Sequence, residues 1–222
     1  MRSALVGEEL RLYNKQRVLD EAIKCLGENG INATKVSDIA KRAGVTTRSI
    51  ERYYGGKENL LEEAVTHIVG KMFKVTAENL KIADFGDDSV TGLKWMEKFI
   101  DLQIEYFREN YLEYMSVAEI EIYFYRKNQS LSISENHLAS LKSVREILVK
   151  IINYGKKDGS IRKEVEPVDV ASLVSVVLQG AMLRLSIVRN NPVMEKMVAL
   201  DDMKALEMTK AGILGYLENR NI

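Results

Sequence analysis

The stretch Thr34-Lys-Val-Ser-Asp-Ile-Ala-Lys-Arg-Ala-Gly-Val-Thr-Thr-Arg-Ser-Ile-Glu-Arg-Tyr-Tyr54 decides the fold. Its spacing predicts two short helices, over about 35–42 and 46–54. Val36, Ile39 and Ala40 face inward from the first of them, and Ile50 from the second. Gly44 permits a sharp turn between the two, and Val45 fills the angle. Two short helices with an apolar inner angle and a glycine in the turn form a helix-turn-helix.

Upstream, Leu12, Leu19, Ile23 and Leu26 recur at helical spacing, so a first helix is expected over about 8–28. Asn29-Gly30 stops it, because glycine readily takes the left-handed conformation that follows a helix. Downstream, after Gly55-Gly56, longer helices are expected over about 57–82, 90–109, 111–128, 134–157, 167–190 and 200–219. The predicted breaks are Asp84 to Asp88, Asn110, Lys127 to Ser130, Lys157 to Ser160, and Asn190-Asn-Pro. Pro167 sits at a helix start, where its missing N–H costs nothing. No region shows sustained period-2 alternation, so the chain reads as all-α with about nine helices. The predicted organisation is a three-helix domain over 1–56 that holds the helix-turn-helix and a second helical domain over 57–222.

Composition narrows the function. The chain has 222 residues with 32 basic and 32 acidic side chains, a net charge of zero. As an average, zero argues against a nucleic-acid partner. The first 60 residues, however, carry 11 Lys/Arg against 8 Asp/Glu, and 31–60 carry 6 against 3. The average therefore hides a modestly basic end. One cysteine, Cys25, excludes an internal disulfide or a thiolate-rich zinc site and fits a reducing cytoplasm. The opening residues lack the apolar run of a signal peptide. His67 and His137 are far apart, and neither follows a Glu by three residues, so di-iron ligands are missing. Phosphate-loop and nucleophile-elbow motifs are also missing. No enzyme, metal or cofactor is expected.

The outer face of the second short helix presents Thr46, Thr47, Arg48, Ser49 and Arg52. Such a helix enters the major groove with its N-terminal residues nearest the bases. Hydroxyls suit phosphates, and arginine suits guanine edges. The competing reading is a surface hairpin whose Thr34 and Thr46 are ordinary N-caps.

Residues from about Val18 to Leu61 resemble the TetR family of bacterial transcription regulators. Ala22, Gly30, Thr34-Lys-Val, Ile39-Ala, Ala43-Gly-Val-Thr, Tyr53-Tyr54 and Lys57-Glu-Asn-Leu carry the resemblance in order and spacing. A weaker likeness runs from Gly155 to Arg162 and from Val168 to Gly180. The resemblance implies double-stranded DNA as partner, contacted by Thr34, Lys35, Thr46, Thr47, Arg48, Ser49, Arg52, Tyr53 and Lys57. Arg48 stands where the family often has glycine, which makes it the candidate base reader. A Lys57 charge at a helix start is disfavoured by the dipole, a cost easier to understand with a phosphate nearby. Two departures stand out. Glu51 replaces a backbone-touching tyrosine, and Gly55-Gly56 replaces a polar cap.

Residues 168–188 are apolar almost all round, and such a helix must be covered on all sides. Gln179, Arg184 and three serines argue against a membrane span. With the last helix it resembles half of a four-helix homodimer interface, represented by Leu173, Val177, Gly180, Met182, Arg184, Leu206, Ile213 and Leu217. The alternative is a central core helix beside a surface helix. Aromatic and Met side chains gather in the middle helices, where the family holds a small-molecule effector. Trp95, Phe99, Tyr106, Met115, Glu119 and Tyr123 are the candidate lining for an apolar or amphipathic ligand, against the plainer reading as core. The expected function is a dimeric, ligand-released repressor on a palindromic operator. The alternatives are a DNA-binding regulator gated by a protein, or a helical interaction module without DNA binding.

Overall fold

The computed structural model describes residues 2–80, 89–129, 135–189, 191, 193, 196 and 201–219. Eight helices account for nearly all of them: α1 (Arg2–Ala33), α2 (Val36–Arg42), α3 (Thr47–Tyr54), α4 (Lys57–Leu80), α5 (Gly92–Arg126), α6 (Glu135–Asp158), α7 (Pro167–Arg189) and α8 (Asp202–Leu217). Among the described residues the only β pairing is one isolated bridge, Ile161 with Glu218. The predicted breaks at 84–88 and around Asn190 and Pro192, and the end of the 127–130 break, lie outside the described residues, as does the His137 side chain.

Among the described residues eight helices stand against the nine expected, because 90–109 and 111–128 form a single element. Asn110 (φ −128°, ψ 30°) departs from helical geometry inside α5 without ending it. The first helix is longer than its apolar stripe predicts. It begins at Arg2, and Leu12 is exposed, so burial starts only at Val18 and Leu19. Gly30 is the predicted stop in a milder form: φ 71°, ψ 170° breaks α1, and a short turn then runs on to Ala33.

The chain forms two compact units, Met1–Ile68 with Met115–Ser134, and Val69–Tyr114 with Glu135–Ile222. The sequence boundary at 56/57 coincides with the start of α4, whereas the units divide within α4 and within α5. The first unit buries Val18, Leu19, Ala22, Cys25 and Leu26 of α1, Ile39 and Ala40 of α2, Ile50 of α3, and Ile120 and Phe124 of α5. Each large aliphatic there contributes about 1.5–3 kcal/mol of burial.

In the second unit α6 packs on α7 and α7 on α8. Met96, Phe99, Ile100, Leu148, Ile152, Val174 and Leu206 belong to one core. The start of α5 comes very close to the end of α6. A Cβ added at Gly92 would lie 2.2 Å from the Gly155 Cα, and one at Gly155 would lie 2.5 Å from the Ile161 side chain. Asp158 and Ser160 complete that junction by accepting the Gly92 and Leu93 N–H groups at 2.7 and 3.1 Å. Helix α7 has the length and apolarity of a membrane-crossing helix. Even so, Val170, Val174, Leu178, Met182 and Leu185 form an inward stripe that packs into this core.

Candidate nucleic-acid interface

The turn between α2 and α3 is built as its sequence requires. Gly44 sits at φ 63°, where a side chain would be strained. Ile39 and Ile50 close the inner angle, and the Val45 N–H donates to the Ala40 carbonyl at 3.0 Å. The Thr46 side chain caps α3 by accepting the Ser49 N–H at 3.1 Å. Arg42 ties α2 to α1 through a two-pronged pair with Glu28 (2.6 and 3.1 Å) and a bond to Glu21 (3.0 Å). The Tyr54 hydroxyl donates to the Lys15 carbonyl at 2.7 Å, anchoring the end of α3 on α1. Burial pushes that phenol's pKa up.

This leaves one polar face of α3 outward. Thr46, Thr47, Arg48 and Arg52 are exposed, Ser49 and Tyr53 are half-buried, and Lys35 is exposed just before α2. The Arg52 guanidinium lies over the Tyr53 ring, 5.3 Å from its centroid. Glu51 faces solvent, and among the described residues it makes no ion pair with Arg48 or Arg52. A carboxylate and two unpaired guanidinium groups are thus all presented from one helical face.

Two residues of the implied DNA-contact set point elsewhere. Thr34 is 3% exposed, and its hydroxyl donates to the Cys25 and Gly30 carbonyls at 3.0 and 2.7 Å. The hydroxyl that the resemblance assigns to a phosphate is therefore spent inside the unit. The Lys57 ammonium donates to the Ile31 and Thr34 carbonyls at 3.0 and 2.7 Å. The end of a helix leaves carbonyls without partners and favours a cation. The Ile31 and Thr34 carbonyls, in the last turn of α1 and just past it, thus supply the partner that the Lys57 charge lacks at the start of its own helix. Burial holds this ammonium below the ordinary lysine range, and Lys127 adds repulsion.

Residues 18–64 match the sequence profile of bacterial regulatory proteins of the tetR family. Over 70 residues the chain is 26% identical to the HTH-type transcriptional regulator BetI of Burkholderia thailandensis, covering 32% of this chain and 36% of that one. The chain thus matches only about a third of the length of its curated relatives. The TetR-family regulator PfmR of Thermus thermophilus is similar over far more: 26% identity, TM-score 0.61, 91% of this chain and 100% of that one.

Over residues 18–64 the chain is similar to the TetR family, and along most of its length it shares the fold of a TetR-family regulator.

Its fold is shared with FadR of Bacillus subtilis, solved in complex with stearoyl-CoA, at TM-score 0.66 and 18% identity over 91% of this chain and 99% of that one. The relatives matched over this segment are transcriptional regulators. Among the described residues no cluster of three or more His, Cys, Asp or Glu side chains could hold a metal. Cys25 is buried, and desolvation raises its thiol pKa.

The candidate effector residues divide between the units. Trp95, Phe99 and Tyr106 belong to the second, and Met115, Glu119 and Tyr123 to the first. Phe99 and Tyr106 are buried, and the Tyr106 hydroxyl donates to Glu113 at 2.6 Å. The Lys98 ammonium lies over the half-buried Trp95 ring, 4.6 Å from its centroid. Glu119 and Tyr123 line a half-open cavity of about 370 Å³ with Asn29, Gly30, Ile31 and Arg126, at the end of α1.

The candidate dimer residues also divide. Leu173, Val177, Gly180 and Arg184 lie outward, and Ile213 is half-buried. Met182, Leu206 and Leu217 are core, at 1%, 0% and 0% exposure, so they are not surface residues of this face. The inward stripe of α7 takes Met182, and the inner side of α8 takes the two leucines. Outward positions that the sequence reading missed are Val168, Val176, Ile187, Met208 and Tyr216. Spacing by three and four from Leu173 through Val176, Val177, Gly180, Arg184 and Ile187 is the signal that picks out that face. A groove of about 330 Å³ runs between α7 and α8, lined by Leu173, Val177, Gly212, Ile213 and Tyr216.

Proposed function

We propose that this chain is a cytoplasmic, homodimeric transcription regulator that binds a palindromic operator through α3 and is released by a small apolar or amphipathic effector, acting as a repressor. The observation that carries the reading is the outward face of α3. It holds hydroxyls at the N-terminal turn and two unpaired arginines, on a helix whose other face is locked to α1 and α2. In this reading Lys35, Thr46, Thr47, Ser49, Arg52 and Tyr53 meet the backbone and Arg48 meets base edges. Thr34 and Lys57 support the head from within. The outward apolar face of α7, with Leu173 and Val176 at 48% and 68% exposure, supports pairing with a second copy. The stearoyl-CoA held by the FadR neighbour supports an amphipathic effector.

The test is selection of bound sequences from a random DNA pool, followed by fluorescence anisotropy across a salt series. A dyad-symmetric site with half-sites about one turn or more apart is expected, with affinity falling as salt rises. Enrichment of no sequence sinks the reading. Arg48→Ala should relax preference at one position per half-site by about 1–3 kcal/mol. Light scattering that finds a monomer of 25.2 kDa at micromolar concentration refutes the dimer.

The buried packing of Phe99 and Tyr106 favours a second reading, in which a protein partner gates DNA binding. A thermal-shift screen of acyl and aromatic compounds decides between the two. Stabilisation by any of them favours the effector.

A further inference from the structure

The Gly30 break leaves one peptide in need of partners from outside its own helix. With Gly30 at φ 71°, the Ile31 N–H has no carbonyl four residues back in line with it. Ile31 is 7% exposed, so water does not readily replace that bond. The N–H donates instead to the Glu119 carboxylate at 2.8 Å, from a helix 88 positions further along the chain. The carbonyl of the same residue accepts from Lys57 at 3.0 Å, and Lys57 also holds the Thr34 carbonyl. Glu119 lies tight against the break: a Cβ added at Gly30 would sit 3.1 Å from its Oε2. A second tie holds the same part of α5 in place, since Glu58 accepts from both Tyr123 and Lys127. One residue is therefore gripped by an anion on its N–H and a cation on its carbonyl, just before the chain enters α2.

We propose that Lys57 and Glu119 are positioning residues of the reading head, fixing the direction in which α1 hands the chain to α2 and α3, with neither side chain touching DNA. This rests on the DNA-binding reading above. The rival assignment makes Lys57 a phosphate contact and Glu119 a bystander. Glu119 is the sharper probe, because removing a negative charge cannot weaken attraction to phosphates.

The experiment pairs amide hydrogen exchange at Ile31 in the DNA-free chain with specific and non-specific DNA affinity over a salt series. Glu119→Leu should speed Ile31 exchange and weaken specific binding about tenfold, with the salt slope and non-specific affinity unchanged. Glu119→Gln, which keeps an acceptor oxygen, should restore most of both, which separates the role from a general loss of folding. Lys57→Met should also weaken specific binding without changing the slope. A fall of about 1 in the slope for Lys57→Met makes it a phosphate contact and overturns the proposal. Wild-type specific affinity in Glu119→Leu overturns it as well. If the unaltered chain selects no sequence at all, the DNA-binding reading fails and takes this proposal with it. Normal selection by the unaltered chain with unaffected variants defeats only the clamp.

Discussion

Among the described residues two helices are broken, and a lysine of α4 meets each break. At Gly30, Lys57 binds two main-chain carbonyls, and the anion Glu119 binds the neighbouring N–H rather than the lysine. At Asn110, Lys71 binds the Asn110 side chain at 3.0 Å and the Glu113 carboxylate at 2.8 Å, while the Asn110 amide donates to the Tyr106 carbonyl at 2.9 Å. The first break is held through its backbone, and its lysine lacks a direct countercharge. The second is held through side chains, and its lysine has one. The first also needs a positive φ, whereas φ −128° at Asn110 is open to any residue. The break beside the reading head thus restricts which residue can stand at it, and the break at Asn110 does not.

The comparison breaks most directly at the glycine. Gly30→Val places a β-branched residue at φ 71° against Glu119. It should destabilise the first unit by about 1–3 kcal/mol or more in urea denaturation. A loss no larger than that of Asn110→Ala would erase the distinction. Next come the lysines. Lys57→Met leaves two carbonyls without a donor and should cost about 1–3 kcal/mol. Lys71→Met removes a 43%-exposed partner and should cost less than about 1 kcal/mol. Asn110→Ala should be smaller still, near neutral, because alanine's helix preference offsets the lost side-chain bonds.

The smallest effect is on pH. Lys127, bonded to Glu58, holds that carboxyl below its ordinary 4.5, with Tyr123 adding to the shift. A lowered carboxyl pKa gives a contribution that is present above 4.5 and is lost as pH falls through the folded value. An NMR titration of Glu58 should show its midpoint moving back toward 4.5 in Lys127→Met.

The helix-turn-helix was legible because its signals are local. The turn glycine, the Thr46 cap and the Ile39 to Ile50 spacing all lie within a dozen or so residues. The inward turn of Thr34 and Lys57 was not legible, because the carbonyls they bond lie around the break at Gly30, where Glu119 from far along the chain accepts the Ile31 N–H. Asn110 reads as a stop because asparagine favours helix ends, yet here its side chain bonds back to Tyr106 and the helix continues. In α7 the inward and outward faces carry the same residue types, so apolarity alone put Met182 beside Leu173 in one set. Only the phase of the helix separates them.

The approach of Gly92 to Gly155 bears on how this chain can change over generations. A first substitution at Gly92 pushes its new methyl into the α6 backbone, and one at Gly155 pushes into Ile161. The first wedges α5 and α6 apart, whereas the second displaces the Ile161 side chain just beyond the end of α6. The two obstructions differ, so relieving one gives no room at the other. Lineages should therefore keep each glycine for its own reason, Gly92 for the α6 backbone and Gly155 for Ile161.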